Sequence, residues 1–334
     1  MSYRVRVRPS GHEFDAGPRE TLLDAGLQAG LALSFHCSSG TCGECRARVI
    51  EGEVKPHGHQ DFAFSETERA ANWVLMCRNR AASDLLIEAE EAGSAKDIPL
   101  QELDVKVAKL ERLHDDMIVA HLRTPRSQTL RFLAGQYVTM ELRDLPPRDK
   151  SIASCPCNGL MIQVHFRQRD DDPFPEYVFA HLKNGEKLKL TGPFGDFTLD
   201  EVSPLRKVFI AFETGFASTK SLIEHLIALD MEVPVDLHWI VLEEGRHYLD
   251  NQCRAWEGSL DDFRYQPLIL STMEPTLDEA LTDRIRTMLA GYESLNEIDL
   301  YLSVPADTGT ALRKILCEQG MPQERIHMEL LEKY

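Results

Sequence analysis

The chain has 334 residues, 43% hydrophobic composition and a formal net charge of -17. That length supplies material for two or three domains and excludes wholesale disorder. The acidic balance opposes direct contact with nucleic-acid phosphate, and no apolar run is long enough to cross a bilayer, so neither nucleic acid nor membrane is an expected partner.

In chain order, apolar and polar residues alternate over Tyr3–Arg8, which predicts a strand rather than a secretory leader. Pro18, Arg19 and Glu20 open a predicted helix bearing Leu22, Leu23, Gly26 and Leu27, and Gly30 ends it. A loop follows that carries Cys37, Cys42 and Cys45, and Cys77 stands apart. This C-x4-C-x2-C run with a distant fourth Cys is the ligand spacing of a plant-type 2Fe-2S cluster. Zinc sites favour paired C-x2-C units instead, and buried structural thiols need no such spacing. Three thiolates from one loop would hold one iron and part of the second, with Cys77 closing the site. A strand over residues 46–51, a helical stretch over 66–73 that delivers Cys77, and a strand over 85–89 complete this block.

The other cysteines, Cys155, Cys157, Cys253 and Cys317, follow no disulfide pattern, so a reducing cytoplasm is the expected setting. Residues 90–97 are polar, small and Gly-containing, as in a linker. Alternation at Leu103, Val105, Val107 and Leu110, then over 161–166 and 188–190, predicts antiparallel strands and a six-stranded barrel. From about Leu205 short apolar strands at 208–212, 235–241, 265–270 and 298–302 alternate with helical stretches after Gly215 and around 281–289 and 310–316. That alternation predicts a parallel, doubly wound sheet. His57 and His59 lack further ligands at metal spacing, Asp170, Asp171 and Asp172 read as a solvated turn, and Trp239 and Trp256 read as packing residues.

Gly135-Gln136-Tyr137-Val138, Arg148-Asp149-Lys150-Ser151 and Gly192-Pro193-Phe194-Gly195 occur in the order used by the ferredoxin-NADP reductase superfamily. With the cysteine motif, the chain resembles the reductase components of bacterial aromatic-ring oxygenases and hexulose dehydratase reductases along nearly its whole length. The resemblance implies a ferredoxin domain of β-grasp type at 1–92, a linker at 93–99, an FAD-binding antiparallel barrel at 100–203 and an NAD(P)-binding-like α/β domain at 204–334. It implies FAD beside the 2Fe-2S cluster. In the family motif R-x-Y-S, Arg meets pyrophosphate, Tyr lies on the flavin ring and Ser sits near its redox-active nitrogen. Arg148 and Ser151 match, and Lys150 replaces Tyr. Tyr137, Val164, His165, Thr214 and the terminal Tyr334 are further flavin candidates on the same resemblance. The family's G-x-x-S helix start corresponds to Asp172-Pro173-Phe174-Pro175 and matches at neither end.

The nicotinamide motifs depart further. Phe212-Glu213-Thr214-Gly215 replaces the glycine-rich turn, Leu242-Glu243 stands where the family has a cation, and Ser303-Val304-Pro305 replaces C-G-P. A carboxylate at Glu213 is expected to repel nucleotide phosphates, and Val304 to intrude on the ring. These substitutions predict impaired NAD(P)H use and a redox-sensing regulator that exchanges electrons with a ferredoxin or other carrier and acts through a DNA-binding transcriptional activator. The resemblance on that reading is to a reductase-like regulatory protein of bacterial tetralin degradation. The alternative is an NADH-dependent reductase of an oxygenase or dehydratase.

Overall fold

The structure is a computed structural model and describes residues 2–125, 128–169, 172–271 and 276–331. Strands β1 (Tyr3–Arg8) and β2 (Glu13–Ala16) form a hairpin, α1 spans Leu22–Gln28, and β3 (Arg46–Glu51), β4 (Val54–Pro56), α2 (Glu66–Ala70), β5 (Trp73–Leu75), β6 (Asn79–Ala81) and β7 (Leu85–Ala89) follow. Five of these strands lie in the order β2-β1-β7-β3-β5, and β1 runs parallel to β7. Period-two alternation sends Val5 and Val7 inward, where they meet Leu22 and Leu23 of α1. Each such buried side chain contributes about 1.5–3 kcal/mol.

Two boundaries differ from the sequence pattern. α1 starts after Thr21, whose side chain accepts a hydrogen bond from the Asp24 N–H, so Pro18 precedes the helix. α2 opens on a Ser65/Glu68 capping box and ends at Ala70, because Trp73 is already in a strand. Cys77 therefore arrives on the short turn Met76–Arg78.

The middle of the chain forms β8 (Gln101–His114), β9 (Met117–Arg123), β10 (Tyr137–Glu141), β11 (Arg148–Ser151), β12 (Met161–Arg167), α3 (Pro173–Ala180) and β13 (Lys187–Phe194). Six strands pair in the order β11-β10-β13-β8-β9-β12, and a bridge between Ile152 and Val164 brings the two edges together, so the sheet is nearly closed. Gly135 enters this barrel with φ +88, and a Cβ there would lie 1.9 Å from the Phe197 carbonyl oxygen. Only glycine fits.

The remainder alternates β14 (Arg206–Phe212), α4 (Phe216–Ala228), β15 (Val235–Val241), α5 (Asp250–Ser259), β16 (Phe263–Ile269), α6 (Leu277–Leu289), β17 (Ile298–Pro305), α7 (Ala306–Glu318) and β18 (Ile326–Leu331). The sheet order is β16-β15-β14-β17-β18, with all neighbours parallel. One apolar cluster lies under α4 and α5 and another under α6 and α7, which is the doubly wound arrangement. β14 is flanked by β15 and β17, so the direction of winding reverses between β14 and β17 and a crevice opens at their C-terminal ends. β18 carries His327 and Glu329 among its apolar residues, which conceals it from a reading by hydrophobic pattern.

β14 also holds Lys207, which has 0% exposure and places its Nζ 2.7 Å from Asp299 Oδ2 and 2.9 Å from the carbonyl oxygens of Asp200 and Ser203. Removing one partner leaves the other charge buried and uncompensated. Asp299→Ala is expected to destabilise this unit by about 3–5 kcal/mol in urea unfolding followed by tryptophan fluorescence; a loss below about 1 kcal/mol would show that the pair is solvated.

Candidate functional site

The cysteine loop is shaped by Gly40 and Gly43, both with φ +83. A Cβ would lie 2.8 Å from Arg78 at the first and 2.3 Å from Phe62 at the second. The tight loop aims N–H groups at sulfur: Ser39, Thr41 and Cys42 donate to Cys37 Sγ and Glu44 donates to Cys42 Sγ, each at 3.4 Å. Burial opposes ionisation of Cys37, yet hydrogen bonds from Ser39, Thr41 and Cys42 bring its pKa down to about 5. The thiols lie as two neighbouring pairs, Cys37 beside Cys42 and Cys45 beside Cys77. Among the described residues no three His, Cys, Asp or Glu side chains converge as a single-ion site would require. Two thiol pairs ringed by N–H donors fit a dinuclear cluster. His59 is exposed and hydrogen-bonded to Asp61, apart from this group.

A second site is a cavity of about 410 Å³ between the barrel, the start of α4 and β18, with Tyr137, Arg148, Lys150, Ser151, His165, Thr214 and Glu329 on its walls. The structure thus brings together most of the residues expected to hold a flavin. Tyr137 stands against Gly195 and packs on Phe194 with ring centroids 5.6 Å apart. Lys150 places its Nζ 5.3 Å from the Phe166 ring centroid. His165 is 4% exposed, and its Nδ1 is 2.9 Å from the Tyr248 hydroxyl. Burial drives its pKa well down, so the imidazole is neutral. The Val164 side chain belongs to the barrel core instead, so only its backbone is available to a ligand. Tyr334 lies outside the described residues.

Arg148 is not a free cation. Its Nη2 is 3.1 Å from Asp172 Oδ1 and its Nε 3.4 Å from Oδ2, so Asp172 is no solvated turn residue, while Asp170 and Asp171 lie outside the described residues. Asp172 also caps α3 by accepting from the Phe174 N–H, and Pro173 and Pro175 have no N–H to offer. The first turn of α3 is therefore closed to phosphate.

Glu329 is the residue that the sequence pattern missed. Burial raises its pKa, and the hydroxyls of Ser151, Ser218 and Ser303 all donate to its carboxylate, uniting the barrel, α4 and β17 at one point. A lone Glu in a weak terminal strand gives no motif; only the sheet register, which sets it opposite Ser303, exposes the link.

The expected obstruction of the nicotinamide side is not what the structure contains. Glu213 does not face the crevice: it is 0% exposed, with φ +50, and its Oε1 accepts from the Leu242 N–H at 2.8 Å. Arg167 approaches its Oε2 at 3.5 Å and Arg246 its Oε1 at 3.6 Å. Glu243 is exposed and shares Arg246 with Glu213, at 3.0 Å. Val304 points away, into the core beneath α7, where its Cγ2 is 3.5 Å from the position a Cβ on Gly309 would take. Ser303 does face Gly215, where a Cβ would come within 2.4 Å of its Oγ, so a small residue at 215 is obligatory.

Asp172→Asn keeps the helix cap and frees the Arg148 guanidinium. FAD is expected to bind this variant roughly two- to fivefold more tightly, the worth of one modest ion pair. Quenching of flavin fluorescence on titration measures it, and an unchanged or weaker Kd would show that Asp172 does not compete.

Residues 5–82 match the 2Fe-2S iron-sulfur cluster binding domain family. The chain is 29% identical over 269 residues to the CDP-6-deoxy-L-threo-D-glycero-4-hexulose-3-dehydrase reductase of Yersinia pestis, covering 80% of each chain. It is 25% identical over 334 residues to the propane 2-monooxygenase reductase component of Mycolicibacterium goodii, covering 97% of this chain and 96% of that one. Among solved structures it is similar to the Amycolatopsis cytochrome P450 reductase GcoB, with 25% identity, a TM-score of 0.62 and 99% of each chain covered. An iron-sulfur domain, a nearly closed barrel and a doubly wound sheet in this order make the chain similar to ferredoxin-NADP reductase-like proteins with an N-terminal 2Fe-2S domain, the form found in oxygenase reductase components.

Proposed function

We propose that this chain is an electron-transfer reductase that accepts hydride from NAD(P)H and delivers single electrons to an oxygenase or ferredoxin-type partner. One observation carries the reading: Glu213, the strongest apparent barrier to nucleotide phosphates, is turned inward and matched by Arg167 and Arg246. The crevice at the ends of β14 and β17 is then open to a dinucleotide in the usual place for this architecture. When bound, FAD would convert a two-electron donor into a one-electron source, and the cluster would carry the single electrons onward. Tyr137, Lys150 and Ser151 would line the ring site, and Arg148 would meet the phosphates once released from Asp172. Glu329 would anchor the hydroxyls of Ser151 and Ser303 beside the ring site. Cys37, Cys42, Cys45 and Cys77 would hold the cluster. The relatives, a dehydrase reductase and a monooxygenase reductase component, support the same reading.

A second reading keeps the architecture but drops nicotinamide use, giving a redox-sensing regulator like ThnY of tetralin degradation that acts through a transcriptional activator. Ser303 in the family's Cys position and the proline-closed start of α3 favour it, and the charge of -17 would leave DNA contact to the partner.

Steady-state reduction of cytochrome c separates the two. The holoprotein with NADH or NADPH is expected to turn over, and Cys77→Ser to lose cytochrome c reduction while its flavin is still reduced by the nucleotide. No turnover with either nucleotide, in protein whose centres are reduced by dithionite, would favour the regulator.

A further inference from the structure

The segment between Ser151 and the start of β12 carries a thiol pair that neither proposed function uses. Cys155 is buried and Cys157 half-buried, both are free, and Cys155 Sγ accepts from the Cys157 N–H at 3.3 Å as the cap of a short turn, Pro156–Asn158. The segment is clamped by α4: Lys220 Nζ donates to the Ala153 carbonyl at 2.9 Å, Ser221 to the Ser154 carbonyl at 2.7 Å, and Glu224 Oε2 accepts from the Cys155 N–H at 3.2 Å. The turn itself packs against α4 and against α1 of the iron-sulfur domain. Phe35, two residues before Cys37, reaches the same place and lies 3.7 Å from the position of a Cβ on Gly159. The two thiols thus sit on a stretch of chain that runs from the flavin cavity to the iron-sulfur domain.

We propose that Cys155 and Cys157 are a reversible dithiol/disulfide couple, oxidised by hydroperoxides, whose state adjusts how the iron-sulfur domain seats on the rest of the chain. Cys157 is the attacking group, since it is the more exposed of the two thiols and meets a peroxide first. Its sulfur attacks the peroxide O–O bond, forming a sulfenic acid and releasing water once the leaving oxygen is protonated. The Cys155 thiol then attacks the sulfenic sulfur, a second water leaves, and the S–S bond forms. Two thiols and one hydrogen peroxide give one disulfide and two waters. A C-x-C disulfide closes a very short loop under strain, which makes it readily reduced and suits it to reversible control rather than to stapling the fold. Forming it withdraws Cys155 Sγ from the turn it caps, and the turn is what α1 packs on.

The holoprotein, exposed to hydrogen peroxide at limiting ratios, alkylated and digested with trypsin, tests this. The peptide over residues 151–167 is expected to lose two hydrogen masses and both alkylation sites, and to regain them with dithiothreitol, while Cys253 and Cys317 stay alkylated. Cys155→Ser preserves a capping oxygen and is expected to accumulate a dimedone-reactive sulfenic acid at Cys157; Cys157→Ser should leave Cys155 unreactive. Hydrogen exchange over residues 22–28 should rise at least severalfold on oxidation of the wild type and not in Cys157→Ser. Full alkylation of the 151–167 peptide after peroxide, irreversible oxidation of it, or unchanged exchange in α1 would overturn the proposal.

Discussion

A buried carboxylate has to be matched by charge, and at Glu213 that requirement joins two parts of the molecule. Arg167 comes from the barrel strand β12 and Arg246 from the turn after β15, so neutralising Glu213 docks the barrel on the parallel sheet. Arg167 in turn pairs with Asp116 at 2.9 Å. An isolated charge in this position would cost several kcal/mol, far more than any surface pair returns. Just across the crevice Glu329 gathers serines from the barrel, α4 and β17. Arg167 and Glu329 also line the cavity, so walls of the site and the junction of the two units share residues.

α4 extends that logic to the iron-sulfur domain. Its N-terminal end abuts the cavity through Ala217 and Ser218. Its middle holds the 153–155 segment. Past its C-terminal end, Leu229 touches Gly30, where an added Cβ would meet that side chain at 3.1 Å. Thr129 and Arg131 of the barrel add hydrogen bonds to the His36 carbonyl and the Ser34 hydroxyl, close to the first cluster cysteine. One helix thereby runs from the cavity to the iron-sulfur domain.

Much of this was legible in the sequence, because it depends on short-range rules. The cysteine spacing, period-two strands and βαβ alternation are local patterns, and they led to the three sheets. Arg148 and Ser151 were legible as a motif. What local pattern could not supply was side-chain direction. Glu213 reads as a carboxylate in a phosphate site, yet a positive φ turns it under the strand ends toward two arginines distant in sequence. Val304 and Ser303 are neighbours on β17, so their side chains leave opposite faces of the sheet, and only Ser303 turns toward Gly215 and Glu329. Glu329 sits in a strand too mixed to recognise and matters only through three partners far from it along the chain.

The claim that Glu213 is matched from within is tested most directly by calorimetric titration of the holoprotein with oxidised nicotinamide nucleotide, in the wild type and in Glu213→Gln, at low ionic strength. The account predicts measurable binding to the wild type and no tightening in the variant, since the carboxylate removed faces Arg167 and Arg246 rather than the crevice. Absence of binding in the wild type, with affinity gained by about tenfold or more in Glu213→Gln, would contradict it and restore Glu213 as the barrier.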